Sequence, residues 1–314
     1  MTTAVALWLL IGAGIVVYVR WAVVAVAAGA SPWAFVVGAP LAYAAVLLAI
    51  TVSWFALAWI FRAPRPPEMR IGFRASLRLF WDELRAIGRS GPRMAFHRWL
   101  MRDPAGAPAA SPVLLLHGVL CNAGVLRGLR AHLVARGIGP VYAMSYGPPL
   151  ASIELFAEQV AAKVDAILAA TGASRVALVG HSMGGVVARA YLHRYGGAKI
   201  ALLITLGTPH DGSVHARLFP GVCLAQIRPG SPWLAELNRS EAAPGTRIVS
   251  VWSWHDSMVA PQTSSRLAGA RNIELAGIGH NAMLGDRRVF DLVAAELLQV
   301  AQEPVAGDEC QAAI

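Results

Sequence analysis

The sequence predicts an α/β fold built on a mostly parallel sheet with helices on both faces, preceded by two transmembrane helices. Three observations predict it. From Pro112 onward, short apolar runs alternate with helical patterns. The runs are apolar throughout rather than at every second position, which marks strands buried on both faces. Residues 4–61 carry Arg20 as their only charged side chain, and that length suffices for two spans of about 20 residues each.

The apolar block divides at "GASP", residues 29–32. Ser31 suits a helix N-cap and Pro32 the first helical turn, so the spans are read as 4–28 and 34–61. Arg20, near the far end of the first, can snorkel to the headgroups. "MTTA" lacks the positive leader of a cleaved signal peptide. This block accounts for a chain that is 56% hydrophobic with a mean hydropathy of +0.52, beyond what an ordinary water-soluble domain carries.

The charge is placed as unevenly as the hydrophobicity. Residues 62–102 hold ten arginines against Glu68, Asp82 and Glu83, a net of +7, whereas residues 103–314 carry a net of +1. The pI of about 10.2 therefore belongs to a short segment behind the second span. Arginines in that position have a simpler explanation than nucleic acid: the positive-inside rule and anionic headgroups. Arg62, Arg65, Arg70, Arg74 and Arg78 put that side in the cytoplasm, at the inner membrane of a bacterium. In "RIGFRASLRLFWDELRAIGR" Arg70, Arg74 and Arg78 recur every four residues, while Ile71, Leu77, Phe80, Trp81 and Leu84 share another face. An amphipathic helix lying on the membrane fits this pattern, and so does a solvated helix packed on the following domain.

The organisation that follows is an anchor over 1–62, a basic juxtamembrane segment over 63–105, a domain over 106–302 and a tail over 303–314. "RAPRPP" and "DPAGAPAASP" read as linkers. Strands are expected at 112–117, 139–144, 175–181, 200–206, 247–253 and 271–276, and helices near 123–136, 152–171, 184–196 and 282–300. Cys121, Cys223 and Cys310 have neither metal-like spacing nor an even count, which agrees with reduced thiols and leaves a Cys121–Cys223 pair open.

In a parallel sheet, chemistry gathers at the carboxyl ends of the strands. Ser182 meets that condition: "VGHSMGG" is a G-x-S-x-G stretch with a strand before it and a helix after it, a turn that aims a hydroxyl out of the sheet. A serine at its ordinary pKa needs a base. His280, on the glycine-flanked loop "LAGIGHNAML" after the last strand, is the base expected, with His255 in reserve. The imidazole needs an acceptor; Asp256 in "WHDSMVAPQTS" comes between Ser182 and His280 in the chain, and Asp211 competes with it. Backbone donors for an oxyanion are expected from Met183 and from the turn "LLLHGVLCNAG", at Val119 or, less directly, Leu120.

Together "LLLHGVL", "VGHSMGG", "LGTPHDG", "HDSMVAP" and "GIGHNAML" resemble the α/β-hydrolase superfamily, and within it bacterial triacylglycerol lipases and carboxylesterases, over about residues 110–300. The resemblance implies the α/β-hydrolase fold, a Ser182–Asp256–His280 triad, an oxyanion hole at Val119 and Met183, and a structural role for Thr208, Pro209 and His210. The chain departs from the pattern in having Asn122 and Gly124 after the oxyanion turn, in leaving only residues 211–245 for a lid, and in its two N-terminal spans.

The expected chemistry is hydrolysis of a lipid or other acyl ester through an acyl-enzyme, with no metal or organic cofactor. The membrane anchor motivates a lipid, as do the apolar lid candidates Leu218, Phe219, Val222, Leu224, Trp233 and Leu234, which serve equally as core. The same nucleophile would also support a thioesterase, an amidase or an acyltransferase. A hydrolase-like scaffold without activity is the reading from another class, and the complete Ser–Asp–His order argues against it.

Overall fold

The computed structural model describes residues 3–104, 109, 111–239 and 246–302; Cys310 and the tail expected at 303–314 lie outside them. Two long helices open the chain, α1 (Thr3–Ala27) and α2 (Pro32–Ile60). Both are long and apolar enough to cross a membrane, by length and composition. Nearly all of their large side chains are exposed, Leu10, Trp33 and Ile60 among them, a surface that water would penalise heavily. Pro32 occupies the first turn of α2, but the Ser31 side chain makes no capping bond.

Helix α3 (Phe73–Ala95) packs against α1, α2 and two turns of the following domain. Its buried residues are Leu79 and Glu83, while Leu77 and Trp81, expected on the apolar face, are exposed. A single turn, α4 (His97–Leu100), leads into the sheet.

The sheet has six strands: β1 (Val113–Leu116), β2 (Val141–Met144), β3 (Val176–His181), β4 (Ile200–Leu206), β5 (Arg247–Ser253) and β6 (Arg271–Leu275). Their order is β2-β1-β3-β4-β5-β6 and every pairing is parallel. The side chains alternate between two cores. Leu114, Leu116 and Leu178 join one, and Val113, Leu115 and Val179 the other, so unbroken apolar runs satisfy both faces.

Helices α6 (Ile153–Thr171) and α7 (Met183–Tyr195) cover the first face. Helices α5 (Arg127–Ala135) and α10 (Arg287–Gln302) cover the second. The helices expected at 123–136 and 282–300 each begin as a separate 3-10 turn, Ala123–Leu126 and Ala282–Leu284. Two short helices, α8 (Val222–Gln226) and α9 (Pro232–Arg239), fill the connection from β4 to β5.

That connection divides the lid candidates. Leu224 and Leu234 are core residues with Trp233 packed against them, whereas Leu218, Phe219 and Val222 are about half exposed. The Cys121 and Cys223 thiols are free; burial pushes the first up to about 12 and the second to about 11.

Candidate active site

The chain reverses its direction across the sheet between β1 and β3, the position where open α/β sheets form a crevice beyond their strand ends. Ser182 lies there, directly after β3, with φ 57° and ψ −130°. That conformation is costly for a residue with a Cβ. Gly184 makes the turn possible: a Cβ there would stand 2.6 Å from the Leu116 and His117 carbonyl oxygens, so α7 can approach β1 this closely only without one.

The turn after β1 abuts the serine, since a Cβ on Gly118 would come within 3.0 Å of Ser182 Cβ. His117 sets the direction of this turn. Burial pulls its pKa down to about 4, so it is neutral. Its Nδ1 lies 2.8 Å from Gly118 O, and its Nε2 accepts from the Tyr146 N–H, with the two rings stacked 4.0 Å apart. The Tyr146 hydroxyl donates to His117 O. A trans peptide points its C=O and N–H in opposite directions, so holding Gly118 O also aims the Val119 N–H. Among the described residues, neither the Val119 nor the Met183 N–H has an acceptor.

The sequence left unexplained why Asn122 and Gly124 follow this turn. Asn122 Oδ1 accepts from Gly124 N at 3.0 Å and its Nδ2 donates to Met94 O at 2.9 Å. A Cβ on Gly124 would overlap the Arg93 carbonyl. Both residues therefore seat the end of α3 against the turn.

Asp256 follows β5 and His280 follows β6, and they meet: His280 Nδ1 donates to Asp256 Oδ2 at 2.9 Å, both side chains being buried. Asp256 Oδ1 accepts from the Met258 and Val259 amides at 2.8 and 2.7 Å. Burial alone would lower the His280 pKa, but the Asp256 charge, the bond to it and the Glu83 charge together raise it above the ordinary 6.5. With its proton on Nδ1, the imidazole keeps the lone pair on Nε2. No hydrogen bond joins Ser182 Oγ to His280 among the described residues. The two approach each other through His181, whose ring lies 4.7 Å from that of His280 and whose Nε2 bonds to His280 O at 3.0 Å.

The competing residues do other things. Asp211 is exposed and accepts from Asn238. His255 Nδ1 accepts from the Gly277 N–H, away from Asp256. His210 bridges Thr205 and Arg189 within the core.

One residue was not anticipated. Glu83 of α3 is fully buried. It accepts from Ser257 Oγ at 2.6 Å, from Asn281 N and Nδ2 at 3.0 and 2.8 Å, and from Ala282 N at 2.9 Å. Ser257 adjoins Asp256, and Asn281 adjoins His280. One carboxylate from α3 thus ties together the two loops that carry Asp256 and His280.

Comparison with known proteins agrees with this architecture. A family model described as the PGAP1-like alpha/beta domain matches residues 151–263, a stretch that includes Ser182 and Asp256. A triacylglycerol lipase of Pseudarthrobacter phenanthrenivorans is 48% identical over 59 residues, 19% of this chain and 18% of its own length. A triacylglycerol lipase of Vibrio cholerae serotype O1 is 34% identical over 116 residues, 35% of this chain and 36% of its own. The matches thus span about a third or less of these relatives. The mature lipase BlEst2 of Bacillus licheniformis superimposes with a TM-score of 0.56 at 18% identity, over 62% of this chain and 96% of that one. Lipase B of Aspergillus fumigatus gives 0.54 at 20% identity, over 65% and 57%. The chain has the α/β-hydrolase fold, in a domain similar to those of lipases.

Proposed function

We propose that this protein is a membrane-anchored serine hydrolase that cleaves carboxylic esters, with a lipid as the substrate class. Ser182 is the nucleophile, His280 the general base and Asp256 its orienting acceptor. The Val119 and Met183 amides bind the oxyanion. The observation that carries the reading is the buried His280–Asp256 hydrogen bond, which leaves Nε2 basic, at the rim where a strained serine follows β3.

In the first half-reaction Nε2 takes the Ser182 proton as Oγ attacks the ester carbonyl. The tetrahedral oxyanion is met by two amides without other acceptors. The imidazolium then protonates the leaving alcohol. Water repeats the sequence on the acyl-enzyme and releases the acid. The Ser182–His280 contact closes when substrate binds, as catalytic hydrogen bonds commonly do. A lipid is favoured by the exposed Leu218, Phe219 and Val222 and by Val222 N bonding to Leu150 O beyond β2, which sets an apolar surface on the strand-end rim.

Full-length protein in detergent micelles, assayed against esters of increasing acyl length, is expected to hydrolyse them with a preference for longer chains. Ser182→Ala is expected to lower kcat by a factor on the order of 10⁴ or more. Equal rates for the variant and the wild type would remove the nucleophile assignment, and turnover confined to thioesters or amides would redirect the substrate class.

The anchor consists of α1 and α2, with the domain on the cytoplasmic side of a bacterial inner membrane, by the arginines that follow Ile60. A reporter fused after residue 105 should read out as cytoplasmic; a periplasmic signal would reverse the orientation.

A further inference from the structure

A cavity of about 800 Å³ lies between the end of α2, the 62–71 linker, α3 and the Asp256 loop. Its size falls within the range of ligand pockets, about 300–1,000 Å³. Its lining combines apolar Phe55, Trp59 and Phe80 with Arg62, Arg65 and Arg70; the Arg62 guanidinium lies 3.7 Å over the Trp59 ring and donates to Trp59 O at 2.7 Å. Among the described residues none of these arginines is in an ion pair. The Asp256 carboxylate, which also lines the cavity, is committed to His280 and two amides.

Two buried donors at this cavity lack acceptors among the described residues. Arg65 Nη2 donates to Trp254 O at 2.8 Å, but its Nε has no partner. His255 Nδ1 accepts from Gly277 N, which puts the proton on Nε2, and Nε2 is likewise unpartnered. Burial pulls His255 down to about 4, with Arg65 adding to the effect. Burial also lowers the Arg65 pKa, and the Arg62 charge lowers it further. Positive charge is therefore crowded here without a counter-ion, and orphaned donors of this kind cost free energy until an acceptor arrives.

We propose that this cavity binds one phospholipid with an anionic headgroup. Its phosphate is taken by Arg62, Arg65, Arg70 and the His255 Nε2–H, and the start of its acyl chains lies against Phe55, Trp59 and Phe80. The chemistry recognised is a phosphodiester of net negative charge attached to an apolar tail; a choline headgroup would bring a further cation among the three arginines and is disfavoured. Guanidinium forks suit the phosphodiester, and the position of the site at the end of α2 supplies the tail at headgroup depth. The inference rests on reading α1 and α2 as membrane spans and is independent of the ester-hydrolysis assignment.

The test is thermal unfolding of the full-length protein in nonionic micelles carrying dioleoyl phosphatidylglycerol, dioleoyl phosphatidylcholine or neither, with inorganic phosphate as a separate arm. Phosphatidylglycerol should raise Tm saturably, while phosphatidylcholine and inorganic phosphate should leave it unchanged. Arg62→Gln with Arg70→Gln, both exposed positions, should weaken the apparent affinity by about tenfold or more, the loss expected of charge-assisted phosphate contacts. Arg74→Gln with Arg78→Gln, exposed and outside the cavity, should leave it unchanged.

An equal effect from phosphatidylcholine or from inorganic phosphate would overturn the proposal. So would full affinity in the Arg62/Arg70 variant, or an equal loss in both arginine pairs. Alkaline carbonate extraction separates the two levels. Release from the membrane would overturn the anchor and the lipid site together; retention without a phosphatidylglycerol effect would overturn the site alone.

Discussion

His280 receives its charge environment from several directions. Asp256 lies at hydrogen-bonding distance, Glu83 contributes a second negative charge, and the neighbouring imidazoles of His181 and His215 have lowered pKa values, which keeps them neutral. With His280 as the proposed base, which must be unprotonated to act, kcat/KM should fall as pH drops through the His280 pKa. That limb should lie above 6.5, because the pKa is raised. Glu83→Gln removes one raising charge, so the acid limb should move to lower pH. The loosened loops should also lower kcat by about tenfold. A pH–rate profile of both proteins checks this. An unmoved limb with an unchanged Tm would show that Glu83 neither tunes nor positions the imidazole. Glu83→Ala instead removes the acceptor shared by Ser257, Asn281 and Ala282 and should cost about 3 kcal/mol of stability.

At the level of elements, strands β1 to β4 were legible because a buried parallel strand is apolar at nearly every position; β5 and the half-buried edge strand β6, with Arg271, Asn272 and Glu274, were legible from the alternation with helices. "PVLLLH" and "IALLITL" leave little else for those residues to be. The elbow at Ser182 was legible because glycine spacing and strand–helix context coincide. The dual character of α3 was not. Ten arginines over residues 62–102 around a short apolar pattern suit a solvated or membrane-lying helix, and the neighbouring acids Asp82 and Glu83 look like two more surface charges. Which face is buried depends on what docks there, and the partners of Glu83 lie about 174 to 199 residues away. Nothing local separates Glu83, which is buried, from Asp82, which is exposed. Helix α2 is bound to the same loops: Gln262 Nε2 lies 3.5 Å from Ala58 O and 3.2 Å from Asp256 O, and His215 Nε2 lies 3.4 Å from Trp54 O. A chain beginning at residue 63 should therefore fold but unfold at a lower temperature than the full chain. One beginning at residue 103, without α3, should lose activity as well. Circular dichroism melts with ester turnover measure both; a chain from 103 as stable and active as the full protein would remove α3 from the account.

Across the whole molecule, the apolar helices, the basic linker and the strand-end rim form one continuous structure, with α3 as its hinge of contact. Helices α1 and α2 pack on α3, α3 inserts Glu83 between the Asp256 and His280 loops, and its end rests on the turn that aims Val119. Local sequence already marked the α/β strand–helix pattern and the apolar helices; their joint was invisible because it is made of contacts between segments far apart in the chain. The central claim is that a serine at the β3 elbow is activated by the buried imidazole–carboxylate pair. Labelling the full-length protein in native membranes with a fluorophosphonate, then mapping the adduct by peptide mass spectrometry, tests it most directly. The account predicts one adduct, on Ser182, absent in Ser182→Ala and slowed by orders of magnitude in Asp256→Asn, whose amide forces the imidazole into the wrong tautomer. No adduct on the wild type, or an adduct on another residue that survives Ser182→Ala, would contradict it.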